Sequence, residues 1–284
     1  TSVGDDKLSL NPTPSNTLMD PNVHKVSDAF SKQSFVFDDL YTTNLLSEYM
    51  RKKFREELVL HLKPQSHILE LNCGTGMDTL YIAGLGHTLL ATDNADGMLK
   101  HIKEKVDKYQ LQESIKIQKC NFEHLEQLQP QTFDHIYSNF SGLNCTEHLD
   151  KVLQSMAPLL NDKGKISVVI MPKICPWELI MLFKGQFKTA LRRFKKGGTD
   201  AHIEGTIFKC FYYNPNYVIN ALKKDFKVVS LKGMSITVPP PFIEHFVERH
   251  PKWFKVLSKL DGIIEKWWPF TVCCDQYMIT LEKR

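Results

Sequence analysis

Ile68-Leu69-Glu70-Leu71-Asn72-Cys73-Gly74-Thr75-Gly76-Met77-Asp78 is a short apolar run that ends in a glycine-bearing turn and opens a helical pattern. In a strand–turn–helix crossover the turn lies at the carboxyl end of the strand, where glycine lets the backbone approach a ligand closely. Seventeen residues beyond Gly76, the run Thr88–Asp93 ends in an acidic side chain that could accept bonds from both hydroxyls of a ribose. Together the two runs predict a nucleotide-type ligand. A dinucleotide loop would carry glycine or alanine three residues after Gly76, where Thr79 stands, and Asp78 would set a carboxylate against a pyrophosphate at the helix N-terminus. That repulsion argues against NAD.

Outward from this loop, β-rich runs alternate with helical stretches. The strands are expected at His67–Asn72, Thr88–Asp93, Ile115–Cys120, Phe133–Ser138 and Lys165–Met171, with helices near 78–84, 95–109, 123–128 and 148–159. Strands joined by crossover helices pair in parallel, and burial on both faces explains unbroken apolar runs such as ISVVIM. The pattern predicts a doubly wound α/β domain with its core over 63–171. Beyond Met171, two long segments precede the last strands, Phe226–Leu231 and Gln276–Leu281, and are expected to be helical cap insertions over one end of the sheet. The first is a basic amphipathic cap at 172–225. The second, within 226–284, is an aromatic-rich insertion at 235–272. Residues 1–22, with Pro12, Pro14 and Pro21, read as a flexible leader, and 23–62 as an N-terminal helical lid segment with apolar residues at helical spacing.

The runs ILELNCGTG, ATDNADGML, Cys120-Asn121-Phe122, FDHIYSNF and the terminal YMITLEKR resemble successive motifs of the class I S-adenosylmethionine-dependent methyltransferases, closest to the branch of biotin-pathway and quinone methyltransferases. The resemblance implies a Rossmann-like sheet of seven strands, mostly parallel, with the last strand antiparallel. It also implies S-adenosylmethionine as cofactor, a phosphate-free ligand beside which acidic Glu70 and Asp78 are tolerable. By the same resemblance Glu70, Asn72, Cys73, Gly74 and Gly76 form the methionine-side loop, with Asn72 replacing the family's first glycine. Asp93, with Asn94 beside it, is the ribose ligand, and Met98 and Phe122 flank the adenine. Asn121 stands where the family often has an aspartate, its side-chain oxygen accepting from the adenine amino group. Ser138, Asn139 and Phe140 lie near the methyl group. Phe37, Tyr41 and Arg51 are candidates to close over the cofactor and meet its carboxylate.

Composition bounds the rest. With 42% hydrophobic and 24% charged residues, 284 residues can bury a core, which excludes global disorder. Seven cysteines, an odd number without a C-x-x-C pair, suit a reducing cytoplasm. No metal is expected, because no His/Asp/Cys cluster has ligand spacing. The formal charge of +4 is uneven: residues 172–270 hold 17 Lys+Arg against 8 Asp+Glu, net +9, leaving −5 elsewhere. Such a bias attracts an anionic substrate, an acidic protein, nucleic acid or a lipid surface, and by itself chooses none of them. The stretch 177–196 reads as a lid over a greasy acceptor or as a peripheral membrane contact. In the Asp200-Ala201-His202-Ile203-Glu204 stretch, His202 is the candidate general base and Glu204 its orienting partner. The acceptor is expected to be an apolar, anionic-tolerant small molecule, aromatic, polyketide, quinone-like or lipid, free or carrier-bound, methylated on oxygen. A non-catalytic scaffold or sensor, or a protein or nucleic-acid methyltransferase, is the alternative. Ser138-Asn139-Phe140-Ser141 lacks the N/D-P-P-Y/F pattern of DNA amino-methyltransferases.

Overall fold

A computed structural model describes residues 21–284. Two helices lead, α1 (Pro21–Thr43) and α2 (Leu45–His61). Asn44 divides the lid segment, because its side-chain oxygen caps α2 by accepting from the Leu46 and Ser47 N–H groups. The core then runs β1 (His67–Leu71), α3 (Met77–Ala83), β2 (Thr88–Asp93), α4 (Asp96–Lys108), β3 (Ile115–Lys119), β4 (Phe133–Ser138), α5 (Leu149–Met156) and β5 (Leu160–Ile170). Next come α6 (Pro176–Leu179), α7 (Phe187–Leu191), β6 (Thr199–Ile203), β7 (Thr206–Cys210), α8 (Pro215–Leu222), β8 (Phe226–Met234), α9 (Phe246–Arg249), α10 (Pro251–Ile264) and β9 (Gln276–Lys283). All seven expected strands form one sheet, ordered β3-β2-β1-β4-β5-β9-β8, and β9 runs antiparallel to both its neighbours.

Alternate residues of each strand feed two cores. Leu69, Ile136, Ile166 and Val168 face α5 and α8, whereas Ile68, Leu89, Tyr137 and Val169 pack with Phe54, Leu58, Ile82 and Ile102 on the other side. Both Ile68 and Leu69 are fully buried, which is why the strand reads as an unbroken apolar run. Truncating Phe54, likewise fully buried, would cost about 3–5 kcal/mol.

Helix α1 crosses the carboxyl edge of this sheet and is pinned along its length. Ser27 Oγ donates to the Asn94 carbonyl at 2.9 Å, the Gly97 N–H donates to Ser31 Oγ at 3.3 Å, and the Asp38 carboxylate takes the Thr75 hydroxyl and Lys105. The crossing depends on Gly97, since a Cβ there would lie 2.4 Å from the Ser31 carbonyl oxygen. At the near end Asn22 donates to the carbonyls of Cys145 and Lys209 and accepts from the Lys209 N–H. Pro21 and Asn22 therefore belong to the helix, not to a leader, and the rest of the expected leader lies outside the described residues.

The first insertion differs from the expected helical cap. Its helical pieces at 176–194 are short and break at Gly185 (φ +71°), and they give way to an antiparallel hairpin, β6–β7. Glu204 (φ +45°) and Gly205 (φ +76°) make its two-residue turn, both in the left-handed region that such a turn demands. Helix α8 packs on α5 and belongs to the core, so the insertion ends before it.

Candidate active site

A cleft with a cavity volume of about 160 Å³ opens at the carboxyl ends of β1 and β2, beneath α1. Of the residues singled out in the sequence, it is lined by Phe37, Tyr41, Asn72, Gly74, Asp93, Asn94, Met98, Asn121, Phe122, Asn139 and Phe140. Asp93 is held from two sides: the Gly74 N–H donates to Oδ2 at 2.9 Å and the Ala95 N–H to Oδ1 at 2.8 Å. Burial pushes its carboxyl up, and those backbone donors oppose the rise. Each oxygen keeps a lone pair for a ligand hydroxyl.

The turn after β1 carries three left-handed residues, Asn72 (φ +56°), Gly74 (φ +55°) and Gly76 (φ +82°). Asparagine tolerates that backbone better than most residues, and Asn72 Nδ2 is further fixed by donating to Ser138 Oγ at 3.0 Å. Asn121 has both ends of its amide at hand. Its Oδ1 accepts from the Glu123 N–H at 3.0 Å as a helix cap, and the atom left buried without a partner is Nδ2. The side chain thus offers the cleft a donor beside the remaining lone pair of Oδ1.

Arg51, Glu70, Cys73, Gly76 and Ser138 stand behind the wall. Arg51 Nη1 reaches Asp78 Oδ2 at 3.2 Å, its guanidinium lies 4.7 Å from the Phe140 ring centroid and 5.9 Å from that of Tyr41, and Nη2 has no partner. Its Nε has only an ion-pair neighbour, Glu48 Oε1, at 3.6 Å, too long for a hydrogen bond. Asp78 is saturated by Arg51, by Arg55 at 2.7 Å and by Asn139 Nδ2 at 2.8 Å. Glu70, facing the Thr79 hydroxyl, has its pKa pushed up to about 8 by burial and by nearby Asp78, so at neutral pH it is largely protonated rather than an anion. Gly76 is needed for close packing, since a Cβ would meet Ile102 at 2.5 Å.

The catalytic pair read from the sequence does not reach the cleft. Side chains alternate along β6, so Ile203 lines the cavity while His202 and Glu204 are exposed, the latter at the hairpin turn. Nor does 177–196 line it, which corrects the reading of that stretch as a lid. Among the described residues the wall carries no histidine. Sequence reasoning also missed Val23, Val26, Ser27, Phe30, Ala95, Gly142, Cys145 and Ile203 in the wall. For Ile203 the signal was present: Ala201/Ile203 and Phe208/Cys210 alternate around Glu-Gly, a hairpin pattern.

Away from the cleft, Cys175, Glu178 and Asp275 bring potential ligand atoms within 4.8 Å of one another, a cluster that linear spacing does not reveal. A cation already occupies it: Arg193 donates to Glu178, Asp275 and the carbonyls of Pro172 and Asp275.

The cleft's free groups, fixed Asp93 oxygens and an unpartnered Asn121 Nδ2, suit a ligand with a ribose and a hydrogen-bonding base, and Arg51 behind the wall holds an unpartnered nitrogen. Residues 68–164 match the methyltransferase domain family. An uncharacterized protein of Methanocaldococcus jannaschii is 28% identical over 85% of this chain and 90% of its own length. Demethylmenaquinone methyltransferase of Bacillus cereus is 28% identical over 50% of this chain, which spans 60% of that protein. The Burkholderia thailandensis 1,6-didemethyltoxoflavin-N1-methyltransferase, solved with S-adenosylhomocysteine, superposes with a TM-score of 0.54 at 13% identity, over 92% of this chain and 88% of that one. With residues 68–164 matching a methyltransferase domain, the seven-stranded sheet with its antiparallel β9 is the fold that the resemblance to the class I methyltransferases implied.

Proposed function

We propose that the cofactor is S-adenosylmethionine and that the cleft binds it through Asp93 at the ribose, Met98 and Phe122 about the adenine, the Asn121 amide at the base, and Arg51, from behind the wall, toward the methionine carboxylate. Asn72, Gly74 and Asn94 supply backbone around it, while Phe37, Tyr41, Asn139 and Phe140 close the side toward the acceptor. The observation that carries this reading is the Asp93 carboxylate, set into the cleft by two backbone N–H groups.

The cofactor supplies a methyl group on a sulfonium, which passes in line to a nucleophile on the acceptor. The chain's part is then chiefly positioning and exclusion of water. A wall without histidine among the described residues suits an acceptor that ionises by itself, such as a phenol or enol. Val23, Val26, Phe30, Phe122, Phe140 and Ile203 make the wall apolar. We therefore read the acceptor as a small or medium apolar metabolite methylated on oxygen, of aromatic, polyketide, quinone-like or lipid type, free or carrier-bound. The test is transfer of labelled methyl from the cofactor into apolar extracts. A labelled product that disappears with Asp93→Ala supports the reading; cofactor-product binding without any labelled product would favour the scaffold alternative.

A further inference from the structure

Helix α10 leaves an apolar stripe in solvent. Trp253, Val256, Leu260 and Ile263 recur at intervals of three and four residues, and Trp267 continues the spacing just past the helix. Their exposures are 63%, 56%, 39%, 62% and 59%, with the neighbouring Trp268 at 82%. The opposite face is the buried one: Asp261 accepts from the N–H groups of Ile236 and Thr237, Ile264 enters the core, and Phe254 meets Tyr49 edge-on. The helix is thus fixed to the body of the protein with its second apolar face outward.

Charge selects what covers that face. The lysines at 252, 255, 259 and 266 are exposed, whereas the acidic residues of the same stretch, Asp261 and Glu265, are buried, Glu265 pairing with Lys53 and Lys232. The exposed charge of 251–268 is therefore wholly positive. A second copy apposed through the same stripe would bring lysine against lysine, which disfavours self-association. An anionic bilayer matches both features: the stripe enters the headgroup boundary, tryptophans sit at its two ends, and lysines meet lipid phosphates. At 1.5 Å per residue the 14-residue helix would lie about 21 Å along the surface.

We propose that α10 and the following Trp267-Trp268 form a peripheral docking surface for anionic lipid bilayers. This relocates the membrane contact that the sequence suggested for 177–196, where Arg192 and Arg193 are instead engaged by Glu178. It does not depend on the identity of the methyl acceptor.

The experiment is flotation of the full chain with phosphatidylglycerol/phosphatidylcholine vesicles and with phosphatidylcholine alone, read together with tryptophan emission. Three of the four tryptophans, Trp253, Trp267 and Trp268, belong to the surface. Salt-sensitive flotation with anionic vesicles alone and a blue shift of emission are expected. Lys255→Glu with Lys259→Glu should lower partition tenfold or more, at about 1 kcal/mol per lysine. Trp253→Ser with Ile263→Ser should abolish the blue shift while circular dichroism and S-adenosylhomocysteine binding stay intact, which separates lost docking from lost folding. Absence of flotation by the folded wild type, equal flotation on neutral vesicles, or flotation indifferent to these substitutions would overturn the proposal. So would a dimer in light scattering that Ile263→Ser dissolves.

Discussion

Two buried arginines, each 3% exposed, behave differently. Arg193 in the cap has its donors engaged: Nε on Glu178, Nη1 on two backbone carbonyls, Nη2 on Asp275. Arg51 behind the cleft makes a single 3.2 Å bond, with Nη2 unpartnered and the rings of Tyr41 and Phe140 around it. Buried donors are nearly always satisfied, so an unsatisfied one beside a cavity marks where a ligand supplies the missing acceptor. The saturated arginine holds the fold together, and the unsaturated one is the proposed contact for the cofactor's carboxylate. Glu178 agrees with this contrast: burial alone would raise its carboxyl, but hydrogen bonds from Arg192 and the charge of Arg193 hold it below the usual range.

The contrast breaks most visibly in stability. Arg193→Ala strands Asp275 as a buried carboxyl, while Glu178 keeps Arg192, and should cost about 3–5 kcal/mol in denaturant unfolding. Affinity of the folded protein for S-adenosylhomocysteine should hardly change. Arg51→Gln should show the reverse emphasis. Asp78 keeps Arg55 and Asn139, while cofactor-product affinity falls by about 1.5–3 kcal/mol, the value of a hydrogen bond to a charged group. A larger stability loss for Arg51→Gln than for Arg193→Ala would erase the distinction.

Asn121 sharpens it on a smaller scale. Asn121→Asp retains the oxygen that caps the Glu123 N–H but removes the free Nδ2 donor. Calorimetry should show affinity weakened by about 0.5–1.5 kcal/mol with little change in stability. Unchanged affinity would mean that the base is read through an acceptor.

The smallest effect concerns Glu70. Burial, then the nearness of Asp78, raises its folded pKa to about 8, above the unfolded value of 4.5. The folded state therefore holds more protons between those values, and this contribution to stability, full below pH 4.5, is lost as pH rises through 8. Glu70→Gln should flatten the decline in Tm from pH 5 to pH 9. An unaltered slope would show that Glu70 does not hold a proton there.

The cleft and the insertions also differ in how far the sequence revealed them. The central strands were legible because they are buried on both faces and read as unbroken runs, as Ile68 and Leu69 show, and edge strand β3 by the alternation of Ile115 and Ile117 with polar residues. Asn72 and Gly74 were legible because their left-handed backbone restricts residue choice. The partners of Arg193 were not, since Glu178 and Asp275 stand 97 residues apart and meet only in three dimensions. His202 misled because proximity along the chain to a cavity residue says nothing of side: one step along β6 turns a side chain from Ile203's face to the solvent. The stripe on α10 looked like core, its spacing being that of any buried helix face, and only its exposure distinguishes it.

The most direct test of the central claim is calorimetric titration with S-adenosylhomocysteine, with NAD as the control and Asp93→Ala beside the wild type. The account predicts a dissociation constant of roughly 1–100 μM, about −8 to −5.5 kcal/mol, no heat with NAD, and loss of binding in Asp93→Ala while the variant stays folded. Absence of binding by the folded wild type, or equal binding by Asp93→Ala, would contradict it.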